Sequence, residues 1–79
     1  MTTSLSAIAA SEIRAEMGRQ RMTQTALGEL LGRSQPYVWR RLSGVVSFDL
    51  TELELIAGKL GVPVGQFLPG APASTGSAA

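Results

Sequence analysis

Apolar side chains recur every three or four positions in four separate stretches of this chain, the spacing of helices that bury one stripe. In the first stretch, Leu5, Ile8, Ala9, Ile13 and Met17 share a face. Ser4 is suited to the N-cap, and the pattern predicts a helix running to about Arg19, with Gly18 marking a fraying end. A second helix is predicted from Thr23 as N-cap to Gly32, with Ala26, Leu27, Leu30 and Leu31 as its stripe. The third opens with Ser34 as N-cap and Pro36 in the first turn, where a missing N–H costs nothing. It runs from Gln35 to Leu42 or Ser43 and ends at Gly44. Only Val38 and Leu42 point inward on it, whereas Gln35, Tyr37, Trp39, Arg40 and Arg41 cover its other faces.

Asp49 then caps a fourth helix, with Glu52 three residues on completing a capping box. Leu50, Leu53, Ile56, Ala57 and Leu60 form its stripe, and Gly61 ends it. Val62-Pro63-Val64 starts one more short helical turn, plugged by Phe67 and Leu68. The expected organisation is a single all-α domain over 1–68 and a disordered tail over 69–79, where apolar anchors are missing. Val46, Phe48, Phe67 and Leu68 fit either ordinary core or a dimer contact. Trp39 is expected to pack against the fourth helix or to cover the Val45-Val46-Phe48 connection.

Composition narrows the chemistry. The chain has no cysteine and no histidine, which removes thiolate and imidazole metal ligands and the commonest general base. No carboxylates pair outside helical surface spacing, so no enzyme and no cofactor is expected. No apolar run approaches the roughly 20 residues of a membrane span. The opening Met1-Thr2-Thr3-Ser4 has no basic flank or apolar stretch, so a cytoplasmic location is expected. Net charge is only +1, but it is unevenly spread. Residues 1–41 carry Arg14, Arg19, Arg21, Arg33, Arg40 and Arg41 against Glu12, Glu16 and Glu29, a balance of +3. Residues 42–79 carry Lys59 against Asp49, Glu52 and Glu54, a balance of −2. Arginine forks suit phosphates and guanine edges.

Two short helices joined by a tight turn, the second opening Ser-Gln and bearing arginines, outline a helix-turn-helix. The run from Met22 through Thr23-Gln24, Leu27, Leu30-Leu31-Gly32, Ser34-Gln35 and Ser43-Gly44 resembles the lambda-repressor-like family, the Cro/C1 or XRE type. The likeness continues through Asp49-Leu50, Leu53, Ile56-Ala57 and Leu60-Gly61-Val62, covering about 10 to 68. It implies a five-helix domain that binds double-stranded operator DNA through the major groove, as a phage or bacterial transcriptional regulator and a homodimer on two half-sites. By position, Gln35, Tyr37 and Arg40 correspond to base contacts. Gln24, Thr23, Ser34, Arg41, Ser43, Gly44 and Arg14 correspond to phosphate contacts, with Gln24 also bracing Gln35 and the Ser43-Gly44 amides clasping phosphate. Three departures stand out. Pro36 replaces a polar reading residue, Trp39 and Arg41 stand where small, polar or aliphatic residues are usual, and Leu42 replaces the acid that pairs with Arg14. An antitoxin of the same fold and a protein-binding helical module are the alternatives.

Overall fold

The computed structural model describes residues 4–68, and the tail expected to be disordered lies outside them. The described part is all-helical: α1 (Leu5–Gln20), α2 (Gln24–Leu31), α3 (Gln35–Leu42), α4 (Leu50–Leu60) and a closing 3-10 turn (Val64–Phe67). The fifth helix implied by the resemblance is thus a four-residue 3-10 turn. Gly65 weakens it, and Pro69 disfavours helical backbone at Leu68, which is extended at φ −107° and ψ 96°, so the turn goes no further.

Local chemistry sets the helix ends. Thr23 Oγ1 accepts the Ala26 N–H at 3.0 Å, and Ser34 Oγ accepts that of Tyr37 at 3.4 Å. Asp49 and Glu52 exchange two such bonds, at 2.7 and 3.0 Å, a complete capping box. Helix α2 stops at Gly32, whose φ of 68° is left-handed, and the Arg33 N–H returns to the Gly28 carbonyl at 2.9 Å. Helix α1 does not fray at Gly18. It continues to Gln20 and ends on Arg21, a non-glycine at φ 59°. What holds Arg21 there is the same return bond, Met22 N–H to the Met17 carbonyl at 2.8 Å, with the Met22 side chain packed on the core.

Helices of eight residues do not persist alone in water, so α2 and α3 depend on what they bury. Leu27 from α2 and Val38 from α3 are fully buried beside Ile13 of α1, Ile56 of α4 and Phe67 of the closing turn. Each such side chain contributes about 1.5–3 kcal/mol relative to exposure. Phe48 and Phe67 therefore belong to the core, and the reading of them as dimer contacts is corrected. Leu68 is half-buried against that core, whereas Val46 remains exposed. Leu5 and Leu50 lie on their helices' apolar stripes but are 69% and 70% exposed. Each sits in the first turn, with Phe48 and Leu68, around an open apolar hollow.

Two further contacts fix how the ends meet. Gly44, at φ 85°, lies so close to α1 that a Cβ there would stand 3.0 Å from the Ala7 Cα. At the other end, Glu16 receives the Arg19 guanidinium at 3.0 and 2.7 Å, Gln20 at 2.8 Å and Gln66 at 2.9 Å. Gln20 also donates to the Leu60 carbonyl at 2.7 Å. One carboxylate thus gathers the ends of α1 and α4 and the closing turn. Among the described residues, no helix is long and apolar enough to cross a membrane.

Candidate nucleic-acid interface

Helix α3 lies with Val38 and Leu42 against the core, and each residue advances about 100° around the axis. That rotation points Pro36 and Arg40 outward. It sets Gln35 and Trp39 on the flank toward α2, and Tyr37 and Arg41 on the flank toward α4. The two flanks have different fates.

The α4 flank is consumed by the protein itself. The Tyr37 hydroxyl donates to Glu52 Oε2, and the Arg41 guanidinium stacks on the Tyr37 ring, 4.0 Å from its centre. Arg41 also donates to the Ser47 carbonyl at 2.7 Å and stands 3.5 Å from Glu52 Oε1. Arg33 covers the same ring from the turn, at 4.8 Å. The sequence reading set Tyr37 to touch bases and Arg41 to touch phosphate, but the structure turns both inward. The cause is the buried Glu52, whose carboxylate draws the nearest O–H and guanidinium to itself. The sequence had shown Glu52 only as a helix cap.

The α2 flank remains open. Gln35 is exposed, and its Nε2 donates to Thr25 Oγ1 at 3.1 Å. Bracing of Gln35 therefore comes from Thr25 rather than from Gln24, the expected partner. That bond uses one N–H and leaves Gln35 with its second N–H and its carbonyl oxygen, the pair that an adenine edge requires. Arg40 is exposed at the centre of the outer face. Thr23 and Ser34 accept bonds as caps, yet each keeps a hydroxyl hydrogen to donate. Gln24 is exposed at the start of α2.

Trp39 departs most from expectation. It neither packs on α4 nor covers the Val45–Phe48 connection, because its place about 100° on from the buried Val38 sets it on the flank opposite Tyr37 and Arg41. It is 58% exposed on the opposite flank, around a hollow shared with Arg14, Gln24, Leu42 and Ser43.

Arg14 lacks an acid partner, as Leu42 dictated, but its Nη1 donates to the Leu42 backbone carbonyl. The guanidinium is thereby tethered to the end of α3, with its remaining N–H groups on an exposed residue. The amides of Ser43 and Gly44 are already bonded, to the carbonyls of Trp39 at 2.9 Å and Arg41 at 3.2 Å. They do not form the free phosphate clasp that the resemblance implied. Ser43 Oγ likewise bonds back to the Arg40 carbonyl at 3.0 Å.

The structure thus gathers Arg14, Gln24 and Ser43 with Trp39 around one hollow, joins Gln35 to Thr25 and leaves Ser34 and Arg40 exposed, whereas Thr23 lines a separate hollow with Lys59 and Leu60. Comparison of the chain with protein-family models, with curated proteins and with solved structures returned no match.

Proposed function

We propose that this chain is a sequence-specific double-stranded DNA-binding regulator, with α2 and α3 forming a helix-turn-helix and α3 entering the major groove. The observation that carries the reading is the outer face of α3. It presents Arg40 to solvent, with Gln35 exposed beside it on the α2 flank, while Val38 and Leu42 anchor the helix from behind. A major groove admits one helix, and a glutamine amide and a guanidinium are the groups that pair with adenine and guanine edges. Helix N-termini and hydroxyl donors at Thr23 and Ser34, with Gln24 and Arg14, suit the flanking phosphates. The protein acts in the cytoplasm, as a repressor or a Cro-like antagonist.

Binding two half-sites about 34 Å apart requires a homodimer. With Phe48 and Phe67 committed to the core, the large apolar side chains left exposed away from the outer side of α3 are Leu5, Val45, Val46, Leu50 and Leu55. Among them Leu5 and Leu50, which rim one apolar hollow, favour a second reading, an antitoxin that carries a toxin there while repressing its own operon. Co-purification with the product of the neighbouring gene, lost on Leu5→Ser with Leu50→Ser, separates the two.

The direct test is selection of binding sites from a pool of randomised duplexes. The reading expects one enriched motif, bound with an affinity that falls steeply with salt. Arg40→Ala should then lose about 1–3 kcal/mol and relax preference at one base pair. A pool that returns no motif contradicts the proposal. Uniform weakening across motif variants makes Arg40 a phosphate contact instead.

A further inference from the structure

We propose that Trp39 is a specificity-determining residue of this interface, packing its indole on the C5 methyl group of a thymine at the edge of each half-site. The inference rests on the reading of α3 as the groove-entering helix. Three observations carry it.

The first is exposure. Val38 and Leu42, the other apolar residues of α3, are buried, yet Trp39 is 58% exposed although α3 packs on both α1 and α2. The second is azimuth. Trp39 lies about 100° from Arg40 and one turn beyond Gln35, on the open flank rather than the one that Tyr37 and Arg41 fill. The third is company. The hollow beside the indole is rimmed by Arg14, Gln24 and Ser43 along with Leu42, whereas the hollow at Leu5 and Leu50 is mainly apolar, with Ser6 and Ser47 its polar members. A large apolar ring set among donors matches a duplex edge, where a methyl group lies within a few ångströms of a phosphate. It does not match an apolar protein surface.

In the major groove the thymine methyl is the one apolar group among the base edges. Trp39 therefore has one base to favour. Arg14 and Gln24 take the adjoining phosphate and fix how deeply the indole sits. Pro36 fits the same arrangement. It removes one polar reading side chain from the outer face, and an apolar contact one turn later replaces that lost discrimination.

The test uses the full chain and the duplex recovered by selection, with each thymine replaced in turn by uracil to delete its methyl. Affinities come from the anisotropy of labelled duplex at fixed salt. The wild type should lose about fourfold at one thymine per half-site, the scale of one buried methyl group. Trp39→Ala should bind more weakly and lose nothing further at that thymine, while keeping the preferences set by Gln35 and Arg40. Trp39→Phe should retain part of the effect. Since Trp39 is the sole tryptophan, its emission should also change as duplex saturates the protein. Indifference of the wild type to every uracil, equal sensitivity in Trp39→Ala, or unchanged emission at saturation would overturn the assignment and leave the DNA-binding reading standing. Absence of wild-type binding to any duplex would overturn both.

Discussion

Replacing Glu52 by alanine tests how α3 is held at its angle to the body. The Glu52 carboxylate accepts the Asp49 N–H at 3.0 Å and the Tyr37 hydroxyl, and it lies 3.5 Å from Arg41 Nε. Its side chain is 8% exposed and that of Arg41 17%. The alanine variant loses the reciprocal half of the capping box, worth about 0.5–1 kcal/mol. It also strands a half-buried hydroxyl, at about 1 kcal/mol, the low end for a group left unsatisfied. Arg41 keeps its bond to the Ser47 carbonyl and some solvent, so its lost partner costs about 1 kcal/mol, well short of a fully buried pair. Together these come to about 2.5–3 kcal/mol. With a urea dependence of about 1 kcal/mol per molar, the unfolding midpoint should fall by about 2.5–3 M. Circular dichroism at 222 nm follows the transition. Glu52→Gln keeps the volume and an acceptor for Tyr37, so it should fall by less than half as much and provides the measurement if the alanine variant is unfolded. A double-mutant cycle of Tyr37→Phe with Glu52→Ala, each of which removes the bond, isolates the pair. Midpoints within about 0.5 M of wild type, with no coupling in the cycle, would refute the claim that this network holds α3.

Two further outcomes follow from the fold. The Arg19 fork, with Gln20 and Gln66, holds the Glu16 carboxyl below the usual glutamate range. The folded state favours the ionised form, so this stability is present above the ordinary glutamate value and is lost as pH falls through the lowered one. Glu16→Gln should therefore cost more at pH 6 than at pH 3 in urea midpoints, and an unchanged gap contradicts the assignment. Arg21→Gly relieves a left-handed residue at the end of α1 and should stabilise by about 1 kcal/mol, raising Tm by about 4–8 °C. A lower Tm would show that the Arg21 side chain does more than endure its backbone.

Much of the scaffold was legible because its signals are local. Thr23, Ser34 and Asp49 cap where their side chains dictate, and Gly32 and Gly61 stop helices as left-handed residues. Where the signal was tertiary, the sequence misled. Gly18 looked like the end of α1, but the end is set by Met22 reaching the core. Leu5 and Leu50 had the right periodicity, yet periodicity carries no information about whether a neighbouring helix reaches the first turn.

The candidate site divides the same way. Arg40 follows from the position of Val38 and Leu42, being opposite them, whereas Gln35, seven residues before Leu42, shares that residue's side of the helix and is exposed as the first residue of α3. The inward turn of Tyr37 and Arg41 depends on Glu52, which lies ten or more residues away in the chain and is brought close only by folding. Trp39 stands on the open side by register alone, about 100° on from Val38 and away from Tyr37 and Arg41. An earlier signal existed in the capping box, which fixes Glu52 in the first turn of α4, but its second function needs the α3–α4 contact.

The account is tested most directly by amide and indole chemical shifts of isotope-labelled protein titrated with the selected duplex. Shifts should cluster at residues 23–26 and 34–40 and at the Trp39 indole N–H, with the exposed side of α4 unmoved. Shifts confined to Leu5, Val45 and Leu50, or none at a duplex excess in dilute buffer, would contradict the claim that the outer face of α3 meets DNA.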